Sequence, residues 1–201
     1  MVARAEGMAT TRERIVQAAV KLALEQAYED ITLAAIAQAA AVSHQTVLNH
    51  FESKEGVAAA VADLLGRETE EAREKAEPGD VRGAVAILVG EYERIGDANA
   101  RWAMSSERLG SLAPFLHRAR SRHQEWLRRT FANALPRTPA AQHRAIHALH
   151  AATDVYTWKL LRRDLRLPRA DAERTMADLV YGILEGGAAP PPRTGSRRRT
   201  R

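Results

Sequence analysis

The chain has 201 residues, 45% of them hydrophobic and 27% charged, with a formal net charge of +5 and no cysteine. That length and composition suit one or two domains with a buried core, and they exclude overall disorder, disulfide scaffolds, thiol nucleophiles and cysteine-ligated zinc. The positive charge is local, because residues 193–201 hold five arginines and no acid while the rest of the chain carries 25 basic and 25 acidic side chains.

In chain order, residues 1–9 are expected to form a flexible leader, and from Thr10 onward the pattern is helix after helix with no period-2 strand. A first helix is predicted over 10–27, capped by Thr10 or Thr11, with Ile15, Ala19 and Leu22 on its core stripe. Residues 32–54, TLAAIAQAAAVSHQTVLNHFESK, then predict two short helices joined by a tight turn. Thr32 caps the first, which buries Leu33, Ile36 and Ala37. Ser43 caps the second, over 43–50, with Val42, Val47 and Phe51 inward. His44, Gln45, Thr46, Asn49 and His50 are left on the outer face, which carries no formal charge. A merely solvated face is more often rich in lysine and glutamate. Glutamine and asparagine bond adenine bidentately in the major groove, and hydroxyl and imidazole groups also reach base edges. The pair is a helix-turn-helix with the chemistry of a DNA reader.

A fourth helix is predicted from Ser53 to about 77, apolar through Val57, Val61, Leu64 and Leu65 and polar beyond. Pro78-Gly79-Asp80 stops it and marks the boundary between a reading head, residues 10–57, and a body, residues 78–187. The body predicts a helix over 80–96, a shorter segment to about 109, and a helix opened by Pro114 that runs to about 135. A long helix from Thr138-Pro139 to about 163 and a last helix over 169–184 follow. Residues 188–201, AAPPPRTGSRRRTR, are expected to be a disordered basic tail. Ile146, Leu149, Ala152, Val155, Tyr156, Leu160 and Leu161 give the long helix more apolar surface than one face can bury. The last helix supplies one neighbour, through Met176, Leu179, Val180 and Ile183, and a second copy of the chain is expected to supply another.

Two constellations in the body admit a sharper reading. His143, His147, His150 and Asp154 share one helical stripe, which opens a metal-sensing or enzymatic alternative. That stripe is too long for one ion, and exposed or interfacial polar groups are the commoner meaning, so no metal site is assigned. Trp102, Trp126, Tyr156 and Trp158 are core or dimer contacts by default, or the lining of an effector cavity between helices. No G-x-S-x-G, H-E-x-x-H, phosphate loop or dinucleotide fingerprint occurs, so neither an enzyme nor a cofactor is expected. An architectural DNA binder acting through the arginine tail fits poorly with a neutral body. No apolar run is long enough to cross a bilayer and no signal-peptide core occurs, which predicts a cytoplasmic protein with no membrane partner.

Residues 11–57 resemble the N-terminal domain of the TetR family of one-component transcriptional regulators. The resemblance lies in Thr11 to Ile15, Ala18, Ala19, Tyr28, Thr32, Ile36, Ala37, Ala39, Val42, Ser43, Thr46, His50, Phe51 and Ser53 to Glu55. It implies an all-α protein, a three-helix head followed by a ligand-binding and dimerisation body. It further implies a homodimeric repressor of a double-stranded, palindromic operator, released by a small-molecule effector; a constitutive DNA binder is the alternative. By resemblance Thr32, Ser43 and Lys54 bind phosphates, and Gln45, Thr46, Asn49 and His50, with His44 beside them, lie in the groove. The stretch 153–164 resembles a C-terminal segment of some members, which singles out Asp154, Trp158 and Lys159. With Trp102 and Tyr156, Asp154 and Trp158 are the expected effector contacts. The chain departs from the family pattern at Ala27 and Ala41, where glycine is usual, at Leu48, usually a phosphate-bonding tyrosine, and at Ala23, usually phenylalanine. A non-glycine residue in a left-handed turn costs ~1 kcal/mol.

Overall fold

Short polar side chains punctuate the chain into helices. The computed structural model describes residues 2–186, and among them the structure is helical with no strand. Helix α1 is Val2–Glu25, followed by a 3-10 turn at Tyr28–Asp30, α2 Leu33–Ala39, α3 His44–Phe51 and α4 Lys54–Arg73. The body holds α5 Val81–Arg108, α6 Ala113–Thr130, α7 Pro139–Thr153, α8 Val155–Lys159 and α9 Arg169–Gly186. Thr32, Ser43, Ser53 and Asp80 each accept a hydrogen bond from the backbone N–H three residues on, at 3.0 to 3.1 Å. Each such cap contributes ~1 kcal/mol and fixes where its helix begins.

Several expectations need correction. The leader is drawn into α1, which starts at Val2. Ala3, Arg4, Ala5 and Glu6 are good helix formers, and nothing before Thr10 breaks the helix, so Thr10 and Thr11 lie inside it rather than at its start. Helix α5 runs unbroken through Gly96 where two segments were expected. The predicted long helix to 163 is broken at Asp154, whose backbone is extended (φ −72°, ψ 153°) and whose Oδ1 accepts from Tyr156 N at 2.9 Å. An aspartate offers the backbone that alternative to helix propagation, and here it caps α8. A π-helical turn at Leu160–Asp164 follows, closed by Leu165 N donating to the Leu160 carbonyl at 2.8 Å. Ala27 is extended rather than left-handed, so its departure from glycine costs nothing. Ala41 does carry a positive φ of 52°. The basic tail at 188–201 lies outside the described residues.

Two cores result. The head core gathers Ile15, Ala19, Ile36, Val47, Phe51, Val57 and Val61 from α1 to α4. The body core is built on α5, α7 and α9 around Leu88, Leu149, Trp158 and Met176, all fully buried. Trp158 lies across α5 at Gly96, where an added Cβ would stand 2.5 Å from the indole Cζ3. Its Nε1 donates to Glu93 Oε1 at 3.1 Å, and the Arg162 guanidinium pairs with the same carboxylate. A helical glycine is here the condition for close packing, which is why it does not end the helix.

Gly96→Ala should therefore destabilise the protein, because overpacking costs about 1–3 kcal/mol and alanine's better helix propensity returns only about 1. Urea denaturation is expected to show a lower midpoint at unchanged slope; an unchanged midpoint would mean the indole yields.

Candidate functional site

The outer face of α3 is set by its cap. Ser43 Oγ accepts from Thr46 N and lies 2.8 Å from Thr46 Oγ1, which holds that hydroxyl at the helix N-terminus. Val47 and Phe51 are buried, so His44, Gln45 and Asn49 are exposed by periodicity. Gln45 Nε2 donates to Asn49 Oδ1 at 2.9 Å, one turn apart, which leaves Gln45 Oε1 and the Asn49 N–H groups as the outward polar atoms. His50 is half-buried beside the Phe51 ring, and Thr46 is half-exposed. Beyond α3 the chain turns sharply: Glu52 has φ 64°, and a Cβ at Gly56 would meet the Phe51 carbonyl oxygen at 2.0 Å. Glycine at 56 lets the first turn of α4 close on the end of α3 and fixes Lys54 beside it.

Lys54 does not extend freely. Its Nζ sits 4.1 Å from the Tyr28 ring centroid and donates to the Glu29 carbonyl at 3.4 Å. Burial lowers the ammonium pKa below its ordinary value, opposed by Glu55, Glu29 and Asp30. The Tyr28 hydroxyl donates to Glu55 Oε1 at 3.0 Å, and burial with that carboxylate raises the phenol. The same 3-10 turn is the joint with the body. Trp102 meets Tyr28 edge-on at 5.5 Å, Ser105 Oγ donates to Glu29 Oε2 at 2.7 Å, and Arg108 pairs with Glu29 Oε1 at 2.5 Å. The Arg101 guanidinium donates to the Leu24 carbonyl, tying α5 to the end of α1.

Below the joint, α4, α5, α6 and the α7–α8 junction enclose a cavity of about 470 Å³. Its apolar wall includes Val61, Leu65, Ile95, Trp102, Phe115 and Trp126. Its polar side is a buried network. Arg73 donates from Nε to Glu91 Oε2 at 2.9 Å and from Nη2 to Glu91 Oε1 at 3.2 Å. Arg73 Nη1 lies 2.9 Å from His123 Nδ1, and His123 Nε2 lies 2.8 Å from Thr153 Oγ1. His150 stands edge-on to His123 at 4.9 Å, with Nε2 3.3 Å from Asp154 Oδ2.

Residues 15–61 match the model of bacterial regulatory proteins of the tetR family. The chain carries the DNA-binding domain of the TetR family. The whole fold is similar to a transcriptional regulator from Rhodococcus sp. Rha1, with a TM-score of 0.66 at 21% identity, over 90% of this chain and 99% of that one. It is also similar to a tetR-family transcriptional regulator from Streptomyces coelicolor, with a TM-score of 0.68 at 14% identity, over 93% and 92%. At such identities the likeness is one of fold. A comparison with curated proteins gives no match.

Within this TetR-type frame the predicted residues separate. Thr32, Ser43, His44, Gln45, Thr46, Asn49 and His50 cluster on α2 and α3 of the head, and Lys54 opens α4. Trp102, Asp154 and Tyr156 line the cavity, but Trp158 does not. Its zero exposure and its bond to Glu93 make it core, a correction that follows from the glycine opposite it. The histidine stripe divides: His143 and His147 are exposed with rings 4.2 Å apart, while His150 and Asp154 turn into the cavity. Among the described residues no group of three or more His, Asp or Glu side chains is placed to hold a metal ion. Sequence reasoning missed Arg73, Glu91 and His123. A signal for the first existed, because Val57, Val61, Leu65, Thr69 and Arg73 recur every four residues on one stripe of α4. No helix among the described residues is long and apolar enough to cross a membrane.

The network makes stability depend on pH. Burial above all, then Arg73 and His150, pushes the His123 pKa well below its ordinary value of 6.5. The unfolded chain accepts a proton near 6.5 and the folded chain resists it, so the stability owed to neutral His123 is complete above that pH and lost below it. The depressed carboxyls of Glu29, Glu55, Glu93 and Asp154 act in the same sense only at more acid pH. Between pH 6.5 and about 5, denaturation should show stability falling by up to ~1.4 kcal/mol per unit, and His123→Gln should flatten that slope. An equal slope in the variant would place the titration elsewhere.

Proposed function

We propose that the protein is a homodimeric repressor that binds a partly palindromic operator through α3 and is released by a small molecule held in the body cavity. One observation carries the reading: α4 holds Lys54 against the head at one end and forms the wall of the 470 Å³ cavity from Val61 to Arg73 at the other. A molecule in the cavity lies against the element that positions the head. Trp102 offers a second contact, since its ring lines the cavity and touches Tyr28, on which Lys54 rests. A ligand lowers operator affinity only by favouring the arrangement that cannot bind DNA, and a tenfold release needs ~1.4 kcal/mol of differential affinity.

Gln45 and Asn49 read bases in this account, while Thr32, Ser43 and Lys54 hold phosphates, with Leu48 unable to add the bond a tyrosine would give there. The first 61 residues carry five basic and seven acidic side chains, so local placement rather than bulk charge attracts the backbone. The apolar residues exposed toward the end of the chain support a dimer: Tyr156 and Leu160 stand one turn apart, and Leu179, 45% exposed, is one turn from Ile183 on α9. The regulator acts on DNA without catalysis.

DNA selected by the protein from a random pool provides the test. In gel shifts Gln45→Ala and Asn49→Ala should weaken the selected sequence by about 1–3 kcal/mol each and leave unrelated DNA unaffected, while Lys54→Ala should weaken both alike. Should neither amide variant change the specific complex, α3 is not the reader. Leu179→Arg should convert the dimer to a folded monomer in sedimentation at micromolar concentration; a monomeric parent protein contradicts the dimer.

A further inference from the structure

The cavity's hydrogen-bonding pattern restricts what it holds, and the proton positions follow from the partners. Arg73 Nη1 can only donate, so His123 Nδ1 accepts and its Nε2 carries the proton given to Thr153 Oγ1. The Thr153 hydroxyl in turn donates to the Leu149 carbonyl at 2.7 Å. This chain is closed and has nothing left to offer a ligand. Arg73 is likewise spent on Glu91 through two bonds, Arg122 pairs with Glu70 and the Asp154 carboxylate faces His150, so the wall holds no unpaired buried cation to offset the desolvation of an anionic guest. Glu74, Arg120, Glu125 and Arg129, which also border the cavity, are exposed and hydrated.

Two buried lining groups remain open among the described residues. Trp102 Nε1 and His150 Nδ1 are buried and have no hydrogen-bond partner. An indole N–H only donates, so it requires an acceptor. His150 Nε2 faces Asp154 Oδ2, a carboxylate that only accepts, so Nε2 carries a proton, and in the neutral imidazole Nδ1 then presents a lone pair that requires a donor. Leaving two buried polar atoms unmet is costly, and a guest that meets both gains from each. The same cavity is lined by the rings of Trp102, Phe115 and Trp126, which favour aromatic guests.

We propose that the effector is an uncharged aromatic molecule carrying a hydroxyl or N–H that donates to His150 Nδ1 and a carbonyl or ether oxygen that accepts from Trp102 Nε1. The inference rests on the reading of this cavity as the effector site, and it names the class of molecule.

A matched series on the full chain tests it by isothermal titration: the 3- and 4-isomers of (hydroxymethyl)benzophenone, their methyl ethers, and the corresponding benzoylbenzoates. The isomers set the hydroxyl and ketone at different separations. At least one alcohol should bind about tenfold or more tighter than its ether and than its carboxylate, as expected for one buried hydrogen bond. His150→Phe should abolish the preference for alcohol over ether, and Trp102→Phe should weaken the alcohol while keeping that preference. Equal binding of alcohol and ether by the parent protein, tightest binding by a carboxylate, a preference that survives His150→Phe, or no binding by any member overturns the proposal. The comparison of alcohol with ether needs no variant to fold. Release of selected DNA separates the two claims. If ether and alcohol release DNA equally, the donor–acceptor pattern falls and effector release stands; if the alcohol binds with the stated preference and DNA affinity does not change, effector release falls and the pattern stands.

Discussion

The buried ion pair between Arg73 and Glu91 sets the terms for the rest of the body. Arg73 is 8% exposed and Glu91 7%, so both charges have left water, and such a pair is tolerated only when its remaining donors and acceptors are met. They are met from two helices. Glu91 on α5 takes two bonds, His123 on α6 takes a third, and Trp126 on α6 donates its indole N–H to the Arg73 carbonyl at 3.3 Å while its ring faces the guanidinium at 5.0 Å. The C-terminal end of α4 is thereby pinned to the body. The same bonds fix the His123 tautomer and engage Thr153 at the last turn of α7.

Helices α4 and α5 each run from the head to the body, and the proposed coupling between cavity and head rests on them. Helix α4 buries Val57 and Val61 among α1 to α3 and ends in the Arg73 network. Helix α5 is held in the body by the contact of Gly96 with Trp158, and two turns later its Trp102, Ser105 and Arg108 hold the Tyr28–Asp30 turn. Neither helix can shift at the cavity without moving a contact in the head, because packed interiors transmit displacement rather than absorb it. The cavity lies between the two helices, and Lys54 lies at the far end of both routes.

What the sequence made legible is what local chemistry decides. Thr32, Ser43 and Ser53 cap helices because their side chains reach a backbone N–H three residues on, and Val47 and Phe51 orient α3 by period alone. What stayed hidden depends on partners remote in the chain. Gly96 looked like a helix end and is a seat for an indole 62 residues away, and Trp158 looked like a cavity residue for want of that seat. Arg73 and His123 sit in polar stretches that resemble solvated faces, and only their meeting 50 residues apart reveals a buried pair. The break at Asp154 has neither proline nor glycine to announce it; it follows from Thr153 bonding the Leu149 carbonyl and Asp154 capping α8.

The most direct measurement of the central claim, that filling the cavity moves the reading heads, uses the absence of cysteine. Gln17→Cys on the exposed face of α1, outside the residues assigned to DNA, gives one spin-label site per chain, and pulsed dipolar spectroscopy then reads the distance between the two heads of the proposed dimer. The account predicts a shifted distance distribution when the protein is saturated with the tighter-binding (hydroxymethyl)benzophenone, and a return to the original distribution when DNA selected by the protein is added in excess. Superimposable distributions with the cavity empty and filled, at a concentration where titration shows the compound bound, would contradict it.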